Sequence, residues 1–367
     1  MPTVDLSLQG QSPYTVHVGH GLLADVGRHC ADLGLGRRVA AVVDAAVVDS
    51  CLGPAAQSLK RAGFEVVTVS YDGGEAGKNL ASLDGILGRM IEAELDRGAW
   101  VLAVGGGVVG DMAGFAASTY LRGIDFVQVP TTIVAQVDAS VGGKTAVNHG
   151  LGKNMVGAFH QPRAVLIDTD TLRTLPRAER VGGMGEVVKH AVIRDVELFA
   201  FLEEHLEAVV DLEIDADRLD WLIARNVEIK AAVVAEDPEE RGLRAILNYG
   251  HTIGHAIEAA TQYRSYSHGE AVTVGMLAAG HIAAARGMWP AEDRLRHDAL
   301  LERLGLPAGL SQVDADLIVD RTRADKKRRD GQLRFVLPRG LGDVVLVDDV
   351  DEAALRAAVA HVRERCP

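Results

Sequence analysis

Cysteine is scarce in this 367-residue chain: Cys30, Cys51 and Cys366 make an odd set, and no two of them form a CxxC pair. That spacing argues against a disulfide framework and fits reduced, inert thiols in a cytoplasm. Also missing is any apolar run of membrane-spanning length, and the opening MPTVDLSLQG has neither the basic nor the apolar region of a secretory signal. The expectation is a cytoplasmic protein with no membrane partner. Basic charge is in deficit as well, with 38 Lys and Arg against 51 Asp and Glu and a formal net charge of -13. This balance argues against a general nucleic-acid or anionic-membrane binder, so any anionic substrate must be met by a local cluster of cations. Internal repeats, low-complexity tracts and long linkers are absent too, and the domains are expected to pack closely around a shared cleft.

What is present is enough apolar residue, 48% of the chain, to bury large cores in two domains. The first half alternates Val-rich runs with amphipathic stretches, the pattern of an α/β domain with a largely parallel sheet. Strands are expected at 37–44, 64–71, 100–107 and 124–130. From about residue 175 the apolar spacing becomes helical, and the second half should be mainly α-helix. A pair of strands at 333–338 and 342–347, then one more helix, closes the chain.

Three features of the first half point to a bound nucleotide. In VLAVGGGVVGDMAGFAAS a strand runs into Gly105, Gly107 and Gly110 and then a helix, so that backbone amides at the helix start face a pyrophosphate. Asp44 ends the VAAVVD strand, where a carboxylate accepts from ribose hydroxyls. Glu75 and Lys78 lie in a second glycine-rich loop, GGEAGK. Between 131 and 157, Thr131, Thr132, Lys144, Lys153 and Asn154 stand among five glycines, a composition suited to oxyanions. Downstream come Glu186 and Lys189, one helical turn apart, and Lys230. Arg244, Asn248, His251 and His255 are spaced four, three and four apart, which predicts one face of one helix turned to a cleft. Two histidines four apart can share a metal ion, but Thr252 follows the first where a zincin protease carries its glutamate.

GGGVVGDMAGF, PTTIVAQVDASVGGKTAVN, GKNMVGAFHQP, GEVVKH, LNYGHTIGHAIE and SHGEAVTVGM occur in this order along nearly the whole chain. Together they resemble the 3-dehydroquinate synthases, within the sugar-phosphate cyclases. The resemblance implies a Rossmann-like nucleotide-binding α/β domain over 1–172 and a mainly α-helical metal- and substrate-binding domain over 173–367. It implies a phosphorus–oxygen lyase that closes a carbocycle from 3-deoxy-D-arabino-heptulosonate 7-phosphate through transient oxidation by NAD, phosphate elimination, re-reduction, ring opening and an aldol step. A divalent metal, zinc or alternatively cobalt, would be held by Glu186, His251 and His268, with His255 working beside the substrate. Only one of the paired histidines then binds the ion.

Carried over position by position, Asp138, Lys144, Asn154, Lys189, Lys230, Arg244 and Asn248 match substrate or active-site residues. Arg122 matches an arginine that reaches the phosphate from the other subunit of a homodimer. Asp44, Glu75, Lys78, Gly106, Gly107, Val108, Asp111, Thr131, Thr132, Lys144, Lys153, Thr171 and Thr174 match nucleotide positions. A phosphate-end lysine is expected in DKKRRDG, as Lys326 or Lys327. Gly185 stands where the family often has alanine, which predicts a helix loosened by roughly 1 kcal/mol. The alternatives are a related cyclase, such as an aminated-dehydroquinate synthase, a metal-dependent polyol dehydrogenase, or a catalytically silent NAD-binding regulator.

Overall fold

The computed structural model describes residues 1–8, 12–72, 74–238, 242–326 and 333–367, with 324–326 described by backbone alone. Two compact units divide the chain: Met1–Pro176 with Asp215–Pro238, and Arg177–Ile214 with Glu239–Pro367. Unit 1 begins with β1 (Thr3–Leu6), β2 (Tyr14–Gly19), α1 (Val26–Asp32), β3 (Arg38–Asp44), α2 (Gly53–Arg61), β4 (Glu65–Tyr71) and α3 (Leu80–Glu92). It continues through β5 (Trp100–Gly105), α4 (Gly107–Thr119), β6 (Asp125–Pro130), β7 (Lys144–His149), β8 (Gly152–Phe159) and β9 (Ala164–Asp168). The chain then gives α5 (Arg177–Arg194) and α6 (Val196–Val210) to unit 2 and α7 (Ala216–Glu236) to unit 1. Unit 2 is completed by α8 (His251–Ala260), α9 (His268–Ala285), α10 (Ala291–Leu304), α11 (Ala315–Lys326), the hairpin β10 (Phe335–Gly340) and β11 (Asp343–Val347), and α12 (Glu352–Arg365).

The four strands expected in the first half are β3, β4, β5 and β6, and they lie within a seven-stranded sheet of order β1-β2-β9-β6-β5-β3-β4. Only β1 is antiparallel to its neighbour. β3 and β5 are continuous apolar runs because both faces are covered. Ala40, Val42, Val101 and Ala103 pack under Leu83 and Met90 of α3 and Met112 of α4. On the other face Val39, Ala41, Val43 and Leu102 pack against Cys30 of α1 and Leu59 of α2. β1, β2, β9 and the β7–β8 hairpin were not anticipated from the sequence; their runs are short or interrupted by glycine and polar residues. No helix is long and apolar enough to cross a membrane among the described residues.

Unit 2 is built on helices drawn together by glycine. A Cβ on Gly269 would overlap the carbonyl oxygen of Gly182, so α9 and α5 meet backbone to backbone. Gly275 meets the carbonyl of Gly250 in the same way, which brings α9 against the start of α8. At Gly185 a Cβ would stand 3.0 Å from Gly269 O and Thr273 Oγ1. Glycine at 185 therefore serves this close crossing, a packing role that the loosened-helix expectation left out. Capping fixes where the helices begin. Ser267 and Glu270 form a reciprocal capping box at the start of α9, and the carboxylates of Asp195, Asp215 and Asp351 cap α6, α7 and α12.

Candidate functional site

In unit 1, β3 and β5 are neighbours whose following helices lie on opposite faces of the sheet. This is a topological switch point, where ligands of open α/β sheets bind beyond the strand ends. Asp44 closes β3 there, and Gly106, Gly107 and Val108 lead from β5 into α4. Thr131 donates its amide to Gly105 O at 2.9 Å, which fastens the Thr131–Thr132 loop to the glycine turn. The Asp44 carboxylate accepts from the Ala46 amide at 2.9 Å. Thr171 is buried and engaged elsewhere, since its hydroxyl donates to Asp168 O at 2.7 Å and accepts from Gln136 at 3.0 Å. Thr174 is exposed and donates to Thr171 O.

A polar cluster joins the second glycine-rich loop to α4 and the β7–β8 hairpin. Lys78, 4% exposed, places Nζ 2.5 Å from Asp111 Oδ2 and 2.6 Å from Asn154 Oδ1. Burial pushes the Asp111 carboxyl up, and Lys78 opposes that push. Glu75 accepts from Asn148 at 2.8 Å and lies 3.7 Å from Lys153 Nζ. Asn148 was not singled out in the sequence; its partnership with Glu75 crosses 73 residues and leaves no local signal. Lys230 of α7 donates to Asp138 O at 2.5 Å and forms an ion pair with the Asp138 carboxylate. Lys144 opens β7 and is exposed. Arg122 is exposed in a turn where Leu121 and Arg122 both have positive φ, 49° and 71°. Two adjacent non-glycine residues in this region store backbone strain.

In unit 2 the stripe from Arg244 to His255 is not one helix. Arg244 and Asn248 lie in a 3-10 segment, Leu243–Asn248, and α8 starts afresh at His251. The break is at Gly250, with φ 79° and no room for a Cβ beside Val272 O at 2.7 Å. Arg244 is buried, 2% exposed. His251 and His255 do share α8, one turn apart, with ring centroids 5.2 Å apart.

Glu186 of α5, His251 at the start of α8 and His268 at the start of α9 offer three ligand atoms within 4.8 Å of one another. Nε2 of His251 lies 3.4 Å from Glu186 Oε1, and Nε2 of His268 lies 3.3 Å from the same oxygen. Two ligands at about 2.0–2.1 Å from a tetrahedral zinc stand about 3.3–3.4 Å apart. The other ring nitrogens are held from behind. His251 Nδ1 is 3.1 Å from Tyr249 O, and His268 Nδ1 is 3.3 Å from Glu258 Oε2. A carbonyl only accepts, so Nδ1 of His251 carries a hydrogen, and Nε2 is the nitrogen left to face the Glu186 carboxylate. A proton on the ring can bridge such a pair, and a metal ion that replaces the proton would find the same atoms facing it as ligands.

Glu186 is fully buried, and neither of its oxygens receives a well-formed hydrogen bond. Burial opposes its ionisation, but Lys189, in direct ion-pair contact, and His251 outweigh burial and hold the carboxyl well below its usual range. For His268, burial opposes protonation, while the carboxylates of Glu186 and Glu258 lift the imidazole to about 10. Glu258, 3% exposed, escaped the sequence reading, although its place on α8 seven residues after His251 was a usable signal. His255 is exposed, and with Glu258 and His268 it forms a second trio within 4.8 Å that shares His268. Lys327 and the side chain of Lys326 lie outside the described residues.

A family model for the 3-dehydroquinate synthase N-terminal region matches residues 68–181, and one for the 3-dehydroquinate synthase C-terminal region matches 183–328. The 3-dehydroquinate synthase of Nostoc punctiforme is 48% identical over 354 residues, covering 96% of this chain and 97% of its own. Two solved structures share the fold over 98% of this chain. One is 2-epi-5-epi-valiolone synthase from Streptomyces hygroscopicus with NAD+ and Zn2+ bound, at TM-score 0.90 and 31% identity over 99% of its chain. The other is 2-deoxy-scyllo-inosose synthase with carbaglucose-6-phosphate, NAD+ and Co2+, at TM-score 0.88 and 30% identity over 100% of its chain. Together with the Glu186, His251 and His268 trio on α5, α8 and α9 and the glycine turn at the switch point, these matches establish that the chain belongs to the 3-dehydroquinate synthase family.

Proposed function

We propose that this chain converts 3-deoxy-D-arabino-heptulosonate 7-phosphate to 3-dehydroquinate and phosphate with NAD and a divalent ion, zinc or cobalt. The observation that carries the ion is the convergence of three potential ligand atoms, Glu186 Oε1 and the Nε2 atoms of His251 and His268, at zinc-ligand spacings. The residues present fit the group. Asp44, the turn at Gly106, Gly107 and Val108, and the Thr131–Thr132 loop support the nucleotide reading by their place at the switch point. When bound, the nicotinamide would accept and return a hydride and the ion would polarise the hydroxyl being oxidised.

The chain's own side chains supply binding and proton handling. Lys189 keeps Glu186 ionised, so that the carboxylate is ready to ligate. Arg244, Lys144, Lys230 and Asn248 supply donors for a substrate with one carboxylate and one phosphate, and Asp138 holds the Lys230 ammonium in place. Lys78, Asp111 and Asn154 hold one another, which gives the loop after β4 a fixed geometry; Glu75 and Lys153 extend that cluster. His255, a turn beyond His251, is placed to take or give a proton at the reacting substrate. We further propose a homodimer in which Arg122 reaches the partner's phosphate site, and a cytoplasmic setting in keeping with three free, buried thiols.

The dehydroquinate product is preferred to another ring because identity is 48% to a dehydroquinate synthase and 30–31% to the valiolone and inosose enzymes. The test is incubation of the purified chain with the heptulosonate phosphate, NAD+ and Zn2+. Phosphate should be released through many turnovers per NAD+ while the absorbance of NADH stays near its starting level. Stoichiometric NADH would support a polyol dehydrogenase instead, and failure to release phosphate would sink the proposal.

A further inference from the structure

None of the residues given a role so far lies on α10, yet His297 in the middle of that helix is fully buried and hydrogen-bonded at both ring nitrogens. Nδ1 lies 2.9 Å from Asp298 Oδ1, and Nε2 lies 3.0 Å from the hydroxyl of Tyr249. Trp289 meets the imidazole at 4.7 Å between centroids and 61° between planes, and Gly280 lies so close to Trp289 that a Cβ there would be 2.8 Å from the indole. The ring therefore has no room to turn. Tyr249, itself fully buried, is also the residue whose carbonyl oxygen accepts from Nδ1 of His251.

We infer that His297 is a positioning residue for His251, acting through Tyr249. Tyr249 and Gly250 form the non-helical joint between Leu243–Asn248 and α8, with Tyr249 at φ -55° and ψ 127° and Gly250 at φ 79°. No helical ladder fixes the peptide plane at such a joint, so its direction depends on anchors to either side. Gly250 is held against α9 by its contact with Gly275. The other anchor is the phenol of Tyr249, held at 3.0 Å by His297 and more weakly, at 3.4 Å, by Met276 O; His297 is held in turn by Asp298. Swinging the phenol would rotate the carbonyl away from His251 and release the ring that the metal reading needs with Nε2 facing Glu186. The inference rests on that reading.

The test compares Tyr249→Phe, His297→Phe and the double variant with the wild-type chain, using Co2+ as the probe. Ion affinity is measured by competition with a chelator, the ligand field by the visible bands of the Co2+ form, and fold stability by the thermal midpoint. Each single variant displaces the Tyr249 carbonyl without removing it, so it should bind the ion more weakly by up to the roughly 10–100-fold that follows loss of a partner behind a metal-ligand histidine, and should shift the cobalt bands. His297→Phe leaves the buried Tyr249 hydroxyl only its long bond to Met276 O, at 3.4 Å, and should melt early; the double variant removes both polar groups and should recover its midpoint but not its affinity. If His297→Phe fails to fold, Tyr249→Phe, which removes one oxygen, still decides the question. Affinity and bands that never move, or that recover along with the midpoint, would overturn the inference and leave His297 as core packing. A wild-type chain that binds no Co2+ would overturn the metal reading and this inference with it; normal wild-type binding with unaltered variants overturns this inference alone.

Discussion

Glu186, His251 and His268 are three ordinary residues separated by 65 and 17 positions, and their chemistry depends on which atoms face one another. Because His268 also stands beside His255 and Glu258, two overlapping trios compete for one ion. The inner trio has the buried carboxylate without good hydrogen bonds and the two inward-facing Nε2 atoms, which favours it. Alanine at Glu186, His251 or His268 should therefore remove stoichiometric metal, whereas His255→Ala should keep the ion and lose activity. Metal analysis of the four purified variants checks this. An empty His255→Ala beside a full Glu186→Ala would move the ion to the outer trio. The ligand roles were named in the sequence by resemblance; spacing alone offered His251 and His255 as a pair, because four residues along a helix say which side chains are neighbours but not which nitrogen is already engaged.

At the scale of elements, the trio exists because α5, α8 and α9 approach more closely than side chains allow. Gly269→Ala should force α9 off α5, at a cost of about 1–3 kcal/mol, and weaken metal binding by carrying His268 away from Glu186. Thermal melting and metal content measured on the same variant would show both effects; an unchanged midpoint would mean that the helices do not touch there. A second pairing joins α9 to α12, where His281 and His361 stack with centroids 4.3 Å apart and planes 24° apart. Burial, then His361 and Arg294, hold the His281 imidazole below its usual value, while Asp298 works the other way. A histidine depressed in the folded state leaves the unfolded chain binding more protons, so stability should fall as the pH drops below about 6.5. His281→Gln should flatten that part of the profile relative to wild type, as followed by midpoints from about pH 8 down to about pH 5. An unaltered slope would locate the acid sensitivity elsewhere, at His17 or His29, whose values burial also lowers.

For the whole molecule, the proposal that matters most is that a site is completed by two copies of the chain. Arg122 is exposed and held in a strained turn, which fits a side chain presented outward better than one placed by chance. If it serves the partner, mixing Arg122→Ala with Lys189→Ala gives heterodimers with one doubly damaged site and one intact site. Random reassortment under two-fold symmetry should then restore about a quarter of all sites. Phosphate release by the mixed preparation, compared with either inactive parent, is the measurement. Confirmed heterodimers without a gain in activity would place Arg122 in its own subunit's site or outside any site.

The sequence by itself determined the central strands of unit 1, because β3 and β5 are apolar on both faces and such runs are visible without a partner. It determined the helical character of the second half and, through long ordered motifs, the family. It did not determine that Arg244 and Asn248 leave the helix of His251, because a stripe at three- and four-residue spacing looks the same whether or not a left-handed glycine interrupts it. Helical spacing sets Glu258 on the side of α8 that carries His251, but what Glu258, Tyr249 and His297 bond to was legible only in three dimensions. Their roles are hydrogen bonds reaching 10 and 48 residues along the chain, and a bond of that kind leaves no period in the sequence. Tertiary structure alone decided which ring nitrogen each histidine turns toward Glu186, since that choice belongs to the atom bonded to the opposite nitrogen.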